Sequence, residues 1–178
     1  MKKYLVAESI VKPDKIDLSQ LDAKYRKATM NMVLSSIACE NVLQSIPDVA
    51  RNEISVIFAT HFGEVEASLD FLFTYRQTQV SSPILFQNSL HNSSLGFSSL
   101  TLNLTGPGLT ISADKDTESS AQLTALSLLN WTPYVLVCFI DYIPDKLIAS
   151  YLRNHPYLEK FINQAHAYLY SRNRIGAN

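Results

Sequence analysis

The chain has 178 residues, 47% of them hydrophobic and 17% charged, enough to bury one sizeable core as a single domain over 1–178. Lys plus Arg number 15 and Asp plus Glu 16, a net charge of -1, so no field of one sign is present to grip a nucleic-acid backbone or an acidic membrane. The opening stretch MKKYLVAESIVKPDK has too short an apolar run for a secretion signal, and no apolar run reaches the ~18 residues of a membrane span. Cys39 and Cys138 lie in apolar segments with no second thiol or metal-ligand spacing nearby. That usage suits a reducing compartment and leads us to expect a cytoplasmic protein.

From Leu21 the residues Tyr25, Ala28, Met32, Ser35, Cys39, Val42 and Ile46 recur every three or four positions, predicting a long first helix that ends near Pro47. Ile54 to Thr60 is a β-branched apolar run too short for a helix, the pattern of a strand covered on both faces. His61-Phe-Gly63 turns the chain into a second helix with Val65, Leu69 and Leu72 on its buried side. After the break at Ser81-Ser-Pro83, residues Ile84 to Leu104 mix apolar with small residues and predict one helix enclosed by protein. Gly106-Pro-Gly108 then opens a strand from Leu109 to Ala113, and Asp116 or Thr117 caps a helix whose apolar face runs from Ala121 to Leu129. Tyr134 to Ile140 is another doubly buried strand. Pro144 and Pro156 each sit where a helix can begin. Leu158, Phe161, Ile162, Ala165 and Leu169 predict a terminal helix, with Arg172 and Arg174 against its C-terminal dipole. Strands alternating with helices define a three-layer α/β domain, its core over about 20–145 and a helical extension over about 146–175.

Several segments, in order, resemble one family. They are Ala59-Thr-His-Phe-Gly-Glu64, Ser82-Pro83, Phe86-Gln-Asn-Ser-Leu-His-Asn92, Gly96, Ser112-Ala113 before a polar patch, and a strand ending in Asp141 with Pro144 after it. The series is similar to the N-terminal domain of β-ketoacyl synthase-like proteins, with His61, Gly63, Glu64, Ser89, His91, Asn92, Gly96, Ser112 and Ala113 at motif positions. The resemblance implies half of a thiolase-like fold, a mixed sheet flanked by helices. In complete condensing enzymes of that kind, a cysteine at the head of a central helix takes the acyl chain. The strand entering that helix pairs with its copy across a dimer axis, and residues of a second half assist the reaction. Carried onto this sequence, the pairing strand is Leu109, Thr110, Ile111, Ser112 and Ala113, and the nucleophile falls near Lys115, one residue either way. No cysteine lies between Cys39 and Cys138. The resemblance therefore implies a truncated, chain-length-factor-like protein without its nucleophile or its second half, and hence an oligomer. It would pair with itself or with a ketosynthase subunit, and with an acyl carrier protein as a further partner.

Other chemistry is open at this level. Ser112, Thr117, Ser119 and Ser120 lie near the nucleophile position, but their sequence neighbours are Asp114, Lys115, Asp116 and Glu118 rather than a histidine base. Capping of a turn explains them as well. Lys115 between two acids has the context of an exposed ammonium. His61 and His91 admit a dyad reading with Glu64 or a distant cysteine, against a structural one in which His91 anchors a backbone carbonyl and His61 shapes the turn. The thiols have the setting of small core residues. No zinc-ligand spacing recurs, and Gly106-Pro-Gly108 lacks the ending of a phosphate loop and the spacing of a dinucleotide fingerprint, so no metal or cofactor is expected. Three functions stay open: a non-catalytic synthase-like subunit of fatty-acid, polyketide or aryl-polyene synthesis, an acyl-chain binding module, and an acyltransferase or hydrolase with a non-cysteine nucleophile.

Overall fold

A computed structural model describes residues 2–173. Its frame is a five-stranded mixed sheet of strand order β1-β5-β4-β2-β3, formed by β1 (Tyr4–Val11), β2 (Ile54–Ala59), β3 (Gly108–Ile111), β4 (Tyr134–Asp141) and β5 (Gln164–Ser171). Strand β2 runs parallel to both β3 and β4, whereas β5 runs antiparallel to β4 and β1. Six helices complete it: α1 (Met30–Leu43), α2 (Val65–Thr78), α3 (Pro83–Asn88), α4 (Ser93–Thr101), α5 (Thr117–Leu128) and α6 (Asp145–Asn154).

Strand β2 is buried along its whole length, and its alternation divides the core in two. Ile54, Val56 and Phe58 meet Leu34, Ala38 and Val42 of α1 on one face. Ile57 and Ala59 meet Ala121 and Ala125 of α5 on the other. Helix on sheet on helix is the three-layer arrangement expected. Helix α4 reaches α1 through hydroxyls: Ser36 and Ser98 share a hydrogen bond of 2.8 Å, and Ser35 stands 3.4 Å from Ser98. Small side chains there bring the two backbones together without leaving a polar group unpaired. Gly96 has no part in this contact, since a Cβ there would meet nothing within 4 Å.

Four expectations are corrected. The first helix begins at Met30 rather than Leu21, because Asp17 and Asp22 accept the backbone N–H groups of Ser19 and Lys24 and hold residues 13–25 in short 3-10 turns. Thr29 then caps α1 through the N–H of Met32, at 3.2 Å. The helix expected over 84–104 is two, α3 and α4, separated by a bend at Ser89–Asn92; the Ser89 hydroxyl turns back onto the carbonyl of Phe86, at 2.8 Å. The third strand stops at Ile111, which leaves Ser112 and Ala113 in the turn.

The terminal helix is replaced by β5, where Ala165, Ala167 and Leu169 alternate into the α1 side of the core. Phe161 and Ile162 belong to a loop, which ends at Asn163 in the left-handed region, φ 55°. Arg172 accordingly lies beside β4, its N–H donating to the Pro133 carbonyl at 3.0 Å, and Arg174 lies outside the described residues. Strand β1, for which the opening stretch carried no structural expectation, closes the other edge of the sheet. Pro144 and Pro156 do precede or open helical turns, α6 and a 3-10 turn at Pro156–Leu158. Among the described residues no helix is long and apolar enough to cross a membrane.

Candidate functional site

Three parallel strands, β3, β2 and β4, end side by side, and the residues just past their carboxyl ends converge. In open α/β sheets this is where ligands and chemistry are found. Asp141, the last residue of β4, is the hub. Its carboxylate accepts the Thr60 hydroxyl at 2.6 Å, the His61 N–H at 3.0 Å to both oxygens, the Phe62 N–H at 3.1 Å and the His61 ring Nδ1 at 2.7 Å. Only 3% of the Asp141 side chain and 5% of the His61 side chain are exposed. A buried carboxylate needs hydrogen-bond donors around it, and the turn after β2 supplies them. The partner of His61 is thus Asp141, not Glu64 or a thiol.

Gly63 continues that turn with φ 65°. A Cβ there would lie 3.0 Å from the His91 ring, so glycine is required both by backbone angle and by space. His91 itself lies exposed in the bend between α3 and α4, and the contact it shows is packing on Gly63 rather than anchorage of a carbonyl. Asn31 ties the turn to α1, its Nδ2 donating to the Gly63 carbonyl at 2.8 Å and its Oδ1 accepting the Tyr142 N–H at 2.7 Å.

Glu64 is buried. It accepts hydroxyls from Thr29, at 2.8 Å, and from Ser94, joining the starts of α1, α2 and α4. Burial outweighs these bonds and pushes its carboxyl up to about 6. An acid raised above its unfolded value of 4.5 favours the fold below that pH, and the contribution is lost as pH rises through about 6. Glu64→Gln should therefore gain about 2 kcal/mol on the native protein between pH 4 and pH 7, read from urea midpoints at the two pH values. A constant difference between them would refute the assignment.

The third strand end is the turn into α5. Asp114 there has φ 48°, the sole left-handed non-glycine residue between β3 and α5. Thr117 braces it, accepting the Ala113 N–H at 2.9 Å and donating to the Asp114 carbonyl at 2.7 Å. A strand, a left-handed residue and a helix make a nucleophile-elbow geometry. Asp114 lies within one residue of Lys115, and its carboxyl is held below its usual range by a hydrogen bond from the Tyr157 phenol. Lys115 is exposed in a 3-10 turn.

Two of the hydroxyls near this turn are engaged with backbone. The Ser112 hydroxyl donates to the His61 carbonyl at 3.3 Å and the Ser119 hydroxyl to the Asp116 carbonyl at 3.0 Å, so each is engaged with backbone rather than with a base. Ser89 and Asn92 flank the α3–α4 bend. Cys39 and Cys138 are fully buried in the α1-side core, and burial, with Cys39 as hydrogen-bonding neighbour, pushes the Cys138 thiol up. A thiol so placed is inert. Among the described residues no group of three or more His, Cys, Asp or Glu side chains is placed to hold a metal ion.

Sequence reasoning missed Asn31, Tyr157 and the role of Asp141. The last had a signal: a lone carboxylate ending a seven-residue apolar strand needs donors from a neighbouring turn.

A three-layer α/β half with an elbow at the ends of parallel strands defines a thiolase-like ketosynthase fold. The chain belongs to the beta-ketoacyl synthase, N-terminal domain family, whose model matches residues 11–170. That match takes in β5, beyond the 20–145 over which the motif series runs. No curated protein matches the chain. Among solved structures it is similar to a chain of the ketosynthase ApeO in complex with its chain length factor ApeC from Xenorhabdus doucetiae, with 18% identity and TM-score 0.75, covering 98% of this chain and 81% of that one. It is also similar to the ishigamide ketosynthase/chain length factor, with 16% identity and TM-score 0.72, covering 92% of this chain and 50% of that one. A third is AntDE:AntF, a type II PKS acyl-carrier protein in complex with its ketosynthase bound to the hexaketide, with 14% identity and TM-score 0.71, covering 88% and 51%. The chain thus spans about half the length of the last two, and at these identities the likeness is one of fold.

Proposed function

We propose that this protein is a non-catalytic, chain-length-factor-like subunit that pairs with a complete ketosynthase in fatty-acid, polyketide or aryl-polyene synthesis, with an acyl carrier protein as the further partner. The observation that carries the reading is the elbow. Its left-handed residue is Asp114, the Ser112, Thr117 and Ser119 hydroxyls are bound to backbone, and both thiols are sealed in the core. Two of the similar structures are described as ketosynthases with chain length factors, which supports the choice of partner. The working compartment in this reading is the cytoplasm, in keeping with two free thiols.

The surface suits association. Strand β3 is a sheet edge, and the Val56 and Thr60 N–H groups bond inward to the Pro107 and Ile111 carbonyls. By the alternation of a parallel ladder, Gly108 and Thr110 turn their N–H and C=O groups outward, where a second edge strand can pair. Leu100, Leu123 and Trp131 are 87%, 68% and 81% exposed, apolar area that a partner would cover.

Thr110→Pro tests the edge directly, since proline removes an outward N–H yet is tolerated on an edge strand. Sedimentation of the chain alone and with a ketosynthase from the same genome should give a complex for the native protein. Thr110→Pro should sediment as a monomer, with an unchanged circular dichroism spectrum. A native protein that stays monomeric in both settings sinks the proposal. So does a stable acyl adduct on this chain after incubation with acyl thioesters, which would make it an enzyme.

A further inference from the structure

We infer that residues 144–162 form a latched lid over the His61–Asp141 pair, with the Tyr157–Asp114 hydrogen bond as the latch. The neck of the lid is closed beside Asp141. The Asn163 side chain accepts the Ile143 N–H at 2.8 Å, and the Asn163 N–H donates to the Asp141 carbonyl at 2.7 Å. The left-handed backbone of Asn163, φ 55°, lets the chain double back there. The two ends of the segment therefore meet.

The underside of the lid is aromatic. Tyr151 stands edge-on to Phe62, with ring centroids 4.7 Å apart, and His155 follows at 5.4 Å. Tyr157 and Phe161 lie 6.0 and 5.6 Å from the His61 ring. These contacts leave the imidazole almost fully covered, although Asp141 already holds its Nδ1 and its second nitrogen has no role in that pair.

Covering of this kind is reversible because little of the lid is rooted in the core. Helix α6 contributes no buried residue, whereas Leu158 is fully buried. The part free to swing runs from Pro144 to Tyr157, pivoting on the neck and on Leu158. Opening costs ring-on-ring contacts, the latch and the half-buried Leu147, Ile148 and Leu152 of α6, but no fully buried side chain of that helix. The latch has a second consequence, since Asp114 is the elbow residue that continues from β3. Closure of the lid and the set of the turn beside the sheet edge are one event, and neither depends on the function proposed above.

The experiment is native-state hydrogen exchange on the full chain, comparing the native protein with Tyr157→Phe and Asp114→Gly, glycine being at home at the left-handed φ of 48° there. Both variants remove the latch from opposite sides and keep the packing. Peptides within 145–157 should exchange about tenfold faster in either variant, the scale of a lost hydrogen bond to a charged group, while peptides of β2 and β4 keep their rates. Modification by diethyl pyrocarbonate, mapped by mass, should rise at His61 in the same variants. Unchanged exchange over 145–157, an equal rise in β2 and β4, or a His61 that stays unreactive would each overturn the lid.

Discussion

Asp141→Ala is expected to lower the unfolding free energy by about 4 kcal/mol. Four donors converge on the carboxylate: the Thr60 hydroxyl, the N–H groups of His61 and Phe62, and the His61 ring. Alanine leaves all four facing one another in a site that water hardly enters, and each buried donor without a partner costs about 1 kcal/mol at the low end. Asp141→Asn keeps the shape and part of the accepting capacity, and should fall between the two. Urea unfolding followed by circular dichroism gives the three midpoints. If alanine costs less than about 1 kcal/mol, the site admits water and Asp141 is no hub.

Gly106→Ala should cost about 3 kcal/mol, the upper range for forcing atoms into filled space. A Cβ at Gly106 would stand 2.1 Å from the Ile54 carbonyl oxygen and 3.2 Å from that of Asn52. Both obstacles are backbone, at the first residue of β2 and in the turn before it, and cannot rotate away, so β3 would have to lift off its neighbour. Gly108→Ala is the internal control. Its Cβ would first meet a methyl of Leu95 at 3.4 Å, an ordinary contact, and its cost should stay within about 0.5 kcal/mol. Equal thermal midpoints for the two variants would show that the corner at Gly106-Pro-Gly108 yields more than its geometry suggests.

The strands buried on both faces were legible because β2 is apolar but for Ser55 and β4 apolar but for Asp141. The strand-turn-helix around Asp114 was legible too, since a glycine corner and a cluster of capping residues bracket it. Strand β5 was not. Its inward residues are Ala165, Ala167 and Leu169, while Phe161 and Ile162 of the preceding loop supply a false helical spacing. On its other face β5 carries His166, Tyr168 and Tyr170, Tyr170 being part of the α5-side core, so both faces carry bulk and the alternation is blurred. At the site, Gly63 and Glu64 were marked by the motif series, but their partners lie 32, 35 and 30 residues away, at Asn31, Thr29 and Ser94. Pairings of that range belong to the tertiary structure, and no local spacing announces them.

Strand β5 lies between β1 and β4 in the sheet and follows both in the chain. The two strands it joins are made early and must wait, each with an unpaired edge, until residues 164–171 arrive. Tyr4 and Tyr134 both find their partner in Ser171, one contact spanning nearly the whole described chain. Pairings of such sequence separation are slow to form, so closure by β5 should limit folding, and the waiting edges are exposed to neighbouring chains meanwhile. Cooperative assembly of the sheet is a late event, and synthesis stalled before β5 leaves an intermediate that only other molecules can complete.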